Sequence, residues 1–220
     1  MSVAIMSEYR PLPGRRDDFL DVLRAEHEHA ASLGARITAY EVTSGGESTG
    51  HVMVSVEFAT PVERGEYADR IAAQPGQSPL ADAIWAANPS AVLIARYSAN
   101  GIPLRAAPPE VPSPVVSELR LRTTPGRQVD VEAAIDEFKV TREALGITVR
   151  QWSLVSAGAY HGVRILTTGA DSFAEAATQQ DRINAYSAER CTPNGALSRA
   201  QQTGAVTVID SRHGRLLTEL

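Results

Sequence analysis

Glu26 and His29 are the residues of this chain whose types and spacing best suit chemistry. A Glu-x-x-His spacing on a helix sets a carboxylate and an imidazole one turn apart on one face. A carboxylate that faces an apolar interior is costly unless it is hydrogen-bonded or paired. Burial would raise its pKa toward neutrality, the range that suits a general acid or base. The same spacing could offer two ligands to a metal. Two are too few for a structural zinc site, however, and no cysteine lies nearby. Glu26 belongs to "DFLDVLRAEHEHAASLG", Asp18 to Gly34. Projected at about 100° per residue, Phe19, Val22, Leu23, Ala30 and Leu33 form one stripe, with Glu26 at its centre. The alternative role is structural: Glu26 reaches water at the helix edge, or satisfies an interior Arg or Tyr.

A second set of side chains could wall a binding pocket. Tyr40 and Trp152 are large aromatics in matching strands, and Tyr67 and Trp85 are aromatics without a counterpart later in the chain. Arg142 falls on the core-facing stripe of a later helix, where the earlier helix has Ala30. It could anchor an acidic or enolic ligand, or simply favour the helix C-terminus. His51 and His161 recur at the start of matching strands and read as hydrogen-bonding partners of a hairpin. Cys191, in "AERCTPNG", has no evident histidine partner to make it a nucleophile. The sequence contains no phosphate-binding loop, dinucleotide fingerprint, Gly-x-Ser-x-Gly or zinc motif. "SGGESTG" is glycine-rich, but it joins two strands and does not open a helix.

The elements that must position these residues are written twice. "SEYR" at Ser7 to Arg10 returns as "SELR" at Ser117 to Arg120. "PGR" at Pro13 returns at Pro125, "LG" at Leu33 returns at Leu145, and "DRIAA" at Asp69 returns as "DRINA" at Asp181. Ordered matches at a nearly fixed offset mark a duplication. It predicts copies over residues 1–100 and 115–220, joined by a proline-rich linker, 101–114, too rich in proline for helix or strand. Each copy reads as a strand, a Pro-Gly turn, a helix (Arg15 to Leu33; Arg127 to Leu145), a strand, a Gly/Ser-rich turn and a return strand. A helix, a shorter helix and a last strand follow. Gly34 and Gly146 are placed to end the first helices. The order is βαββαβ, the ferredoxin-like unit, in an α+β protein. Its strands are apolar on both sides, so the sheets of the two copies are expected to pack together within the chain.

These motifs resemble the dimeric α/β-barrel superfamily, and most closely the antibiotic-biosynthesis-monooxygenase-like domain as a fused tandem pair. The resemblance rests on the first strand, the "PGR" turn with its acidic helix, "LG" with "YEV", and the apolar return strand. It implies an intramolecular dimeric α/β barrel, a monomer with an internal pseudo-dimer; this removes the need for a homodimer and does not forbid one. It further implies a small-molecule enzyme, free of metal and organic cofactor, acting on an aromatic or polyketide-like substrate. Proton abstraction by Glu26 with His29 would lead to oxygenation, cyclisation or isomerisation. Tyr40, His51, Tyr67, Trp85, Arg142 and Trp152 would contact the substrate. The superfamily's usual tryptophan late in the third strand is replaced here by Phe58. Its usual histidine on the next helix is replaced by Tyr67 in copy one and Gln179 in copy two. Two other readings stand beside this one: a non-catalytic ligand-binding or stress-associated barrel, and a haem or metal binder.

Bulk properties bound the partners. The 220 residues are 43% hydrophobic and 21% charged, with net charge -5. That is enough for two compact units of about 100 residues. Lys and Arg are scattered, which gives no electrostatic footprint for nucleic acid. No run approaches the roughly 18 apolar residues of a membrane span, and the N-terminus lacks the basic region of a signal peptide. The single cysteine rules out an internal disulfide. Together these predict a soluble, cytoplasmic protein.

Overall fold

The computed structural model describes residues 2–74, 78–102, 112–156, 158–189 and 195–217. Copy one runs β1 (Val3–Pro11), α1 (Arg16–Ser32), β2 (Arg36–Ser44), β3 (Val52–Phe58), α2 (Pro61–Ala72), α3 (Pro79–Trp85), β4 (Ala91–Ile102). Copy two repeats the order as β5 (Val115–Thr123), α4 (Gln128–Glu143), β6 (Val149–Ser156), β7 (Val163–Ala170), α5 (Phe173–Glu189), α6 (Ala196–Gln202), β8 (Val206–Leu216). Residues 103–111 of the expected linker, and Cys191, lie outside the described residues.

Local sequence explains most of the boundaries. Gly34 and Gly146 follow the first helix of each copy at φ 75°, a left-handed conformation that a β-carbon would disfavour. Thr60 and Ser172 each accept from the N–H of a glutamate three residues on, Glu63 and Glu175. Those glutamates in turn accept from the N–H of Ala59 and Asp171. These are matching N-terminal caps at the same place in each copy, related to a capping box but with the glutamate reaching the residue before the N-cap.

The eight antiparallel strands close into one barrel, ordered β1-β3-β2-β8-β5-β7-β6-β4. The copies join at two seams: β2 pairs with β8, and β4 with β6. The helices cover the outside. Phe19, Leu23, Tyr9 and Val54 build one filled core between sheet and helices in copy one, and Val131, Ile135, Leu121 and Leu166 build its counterpart in copy two. Opposite faces of the same strands look into the barrel lumen.

Strand register corrects two sequence matches. Tyr40 and Glu8 both lie opposite Met53, while Trp152 and Arg120 both lie opposite Ile165. Glu8 is therefore the structural counterpart of Arg120, not of Glu118 as "SEYR" and "SELR" imply. His51 and His161 are not equivalent either. The N–H of His161 closes its turn onto Gly158, and the residue doing this in copy one is Thr49, onto Gly46. His51 thus corresponds to Val163. Sheet pairing is fixed by pleat and hairpin, not by letter, so these identities fall two residues out of step.

Candidate functional site

A cavity of about 640 Å³ occupies part of the lumen. Every strand of copy two and β1 to β3 of copy one can reach it, but its walls are unequal. On the β2–β8 side it is lined by Tyr40, Val42, Met53, Ser55, Val116 and Gly214. On the β4–β6 side the lumen is packed solid by Ala4, Tyr97, Ala99, Leu154, Val163 and Ile165 around Trp152, which is 3% exposed. The cavity reaches the surface near the exposed Gly146, Asp171 and Glu175. Glu57 and Arg150 also line it and form a two-pronged ion pair between the copies, one contact being 3.1 Å. Arg150 lies 5.1 Å from the Trp152 ring centroid.

Charged groups close the lumen beyond the cavity. Glu8, 3% exposed, accepts from Arg212 Nη1 at 2.8 Å and pairs with His51 Nδ1 at 2.7 Å. Arg120 lies 3.6 Å from Glu8, donates to Glu118 at 2.6 Å and to the Tyr97 hydroxyl at 3.2 Å. Arg212 also pairs with Asp210. Burial alone would raise the Glu8 pKa, but Arg212, His51 and Arg120 more than offset it and hold the carboxyl below its ordinary value. Burial would likewise lower the pKa of Arg120, yet the Glu118 and Glu8 carboxylates leave it raised. Two of these groups, Glu118 and Arg212, line the cavity, and they face each other directly in the β5–β8 register. Sequence reading passed over both, since Glu118 sat inside a repeat motif and Arg212 beside the C-terminus.

The other predicted residues scatter. Glu26 is 7% exposed, as its stripe position requires, and its carboxylate accepts from the N–H of Leu80 at 3.0 Å. Pro79 and Leu80 open α3, so Glu26 satisfies an otherwise orphaned donor at a helix start. It does not line the cavity. Tyr67 packs on Phe58 at 5.2 Å; burial first, then the Glu26 charge, pushes its hydroxyl pKa up. His29 is half-buried on the flank of α1, outside the cavity. Trp85 is 74% exposed. Arg142 stacks 3.3 Å over Phe138, and burial lowers its pKa to about 10. His51 joins the Glu8 cluster, whereas His161 bonds the Val155 carbonyl of its hairpin at 2.8 Å. Of the predicted set, only Tyr40 and Trp152 meet in the cavity.

Among the described residues no group of three or more His, Cys, Asp or Glu could hold a metal ion. No helix among them is long and apolar enough to cross a membrane. No histidine lines the cavity, and the Nδ1 of His51 is engaged by Glu8.

No protein-family model and no curated protein matches this chain. Solved structures do. An anthrone oxidase-like protein superposes with a TM-score of 0.63 at 10% identity, covering 98% of this chain and 91% of that one. A candidate monooxygenase from Fusobacterium nucleatum subsp. nucleatum gives 0.62 at 6% identity, with the same coverage of both chains. A variant chlorite dismutase from Candidatus Nitrospira defluvii gives 0.57 at 9%, covering 98% and 91%. Identities this low speak to architecture alone. Eight antiparallel strands closed from two βαββαβ copies, and whole-length superposition on such neighbours, give this chain the monooxygenase-like dimeric α/β-barrel fold, with both halves in one polypeptide.

Proposed function

We propose that this chain is a small-molecule enzyme that takes an aromatic or polyketide-like substrate into the barrel lumen and removes a proton from it, without metal or organic cofactor. One observation carries the reading: a cavity walled by Tyr40, Trp152, Met6 and Met53 also presents a carboxylate and a guanidinium side by side. The apolar wall suits a ring system. Glu118 accepts the proton from an activated carbon or a phenol. Arg212, fixed by Glu8 and Asp210, stabilises the negative charge that develops on the neighbouring oxygen. The resulting enolate then meets oxygen, or cyclises or isomerises. Glu118 takes the role that sequence spacing offered to Glu26, whose carboxylate is committed to α3.

The competing reading is a non-catalytic binding barrel. It is favoured by two buried helix–sheet cores and by the Arg120 hydrogen bond that already occupies the Glu118 carboxylate. Anthrone and naphthol probes separate the two, followed by oxygen uptake and by deuterium wash-in at the acidic carbon. Glu118→Gln is expected to keep binding and to lose at least about 100-fold in rate. Binding by the wild type with neither exchange nor oxygen uptake would establish the binding barrel.

A further inference from the structure

We infer that Trp152 sets the size limit of the lumen site, and that each chain holds one planar ring system, seated against copy one. This rests on the lumen as the ligand site proposed above. The barrel has a pseudo-twofold relation, so each cavity-lining position has a counterpart across the lumen. Tyr40 answers to Trp152, Val42 to Leu154, and Val116 to Ala4. Tyr40 and Trp152 both line the cavity, but of the other two pairs only Val42 and Val116 do. In the other seam Leu154 and Ala4 are fully buried against the indole. The second lobe that symmetry would provide is filled by Trp152.

The seam explains how the indole fits. Gly101 of β4 lies directly opposite Trp152, and a β-carbon there would stand 3.1 Å from the indole Cζ3. The ring therefore lies close against β4 backbone. The Tyr40 hydroxyl lies 3.4 Å from the Ser113 carbonyl, and Tyr40 lines the open part of the lumen. A ring entering the cavity is stopped by Trp152 and by Arg150, whose guanidinium lies 5.1 Å from the indole centroid. It finds the small side chains of copy one, Ser55 and Val42, on its other side.

The experiment measures fluorescence anisotropy of two probes, 2-naphthol and 1-hydroxypyrene, against chains carrying Trp85→Phe to remove the exposed indole. The parent should bind one naphthol per chain and bind hydroxypyrene at least about tenfold more weakly, the scale set by pocket fit. Adding Trp152→Ala should open the second lobe and raise hydroxypyrene affinity by on the order of tenfold. Val42→Leu gives the open lobe the residue of the filled one and should weaken naphthol by on the order of tenfold. It leaves the indole packing intact, so it tests the assignment even if Trp152→Ala does not fold. Unchanged probe ratios in both variants, or two naphthols per parent chain, would overturn the role of Trp152 while leaving a lumen site standing. No binding of either probe to any variant would overturn that role and the lumen site together.

Discussion

Removing the charge of Glu8 should unfold the closed end of the barrel from within. Glu8→Gln keeps the shape of the side chain but leaves Arg212 and Arg120 facing a neutral amide in a site only 3% exposed. Breaking a buried ion pair from one side costs about 3–5 kcal/mol. The low end, about 3 kcal/mol, applies here, because Arg120 keeps Glu118 and Arg212 keeps Asp210. For a chain of this length that is a fall in Tm of about 6–12 °C. The effect should depend on pH with a defined sign. The folded pKa of Glu8 is depressed, so its ionised form contributes stability above the ordinary carboxylate value of about 4.3. That contribution is lost as pH falls from there through the folded pKa. Thermal unfolding followed by circular dichroism should therefore show the full gap between wild type and variant at pH 7 and a narrowing gap below about pH 4. A loss under about 1 kcal/mol at pH 7, or a gap of the same size at pH 3, would refute the idea that this cluster is desolvated and mutually dependent.

Other perturbations have equally definite outcomes. Glu26→Leu should destabilise the chain by about 1–3 kcal/mol in urea titrations, because the Leu80 N–H loses its charged acceptor; stabilisation would mean that Glu26 is uncompensated and held for a ligand. Arg150→Gln should cost under about 1 kcal/mol, since both partners of the Glu57 pair are about one-third exposed, and the difference should shrink in high salt. Trp85→Ala should change stability by no more than about 0.5 kcal/mol, while Phe19→Ala, fully buried, should cost about 3–5 kcal/mol in the same assay.

Much of this molecule is local and therefore legible in the letters. The stripe of Phe19, Leu23, Ala30 and Leu33 marks α1 to within a residue or two, and Gly34 and Gly146 end their helices because only glycine adopts that backbone cheaply. The duplication is legible too, since each copy must repeat the same turns and helix caps. Even the burial of Glu26 follows from helical period alone. Its partner does not: the Leu80 N–H lies 54 residues away, and only the packing of α3 on α1 brings it there. The lumen is likewise a product of closure. "SEYR" and "SELR" look like one motif kept twice, yet sheet register sets Glu8 against Arg120, a complementary pair that two identical copies could not make. Glu118 and Arg212 meet because β8 returns beside β5, and Trp152 fills one lobe because β4 of the other copy offers Gly101. Periodicity and turn chemistry act over a few residues, so the sequence by itself determined the elements and their order. Which side chains share the lumen depends on how eight strands register around a closed ring, and only the tertiary structure decided that.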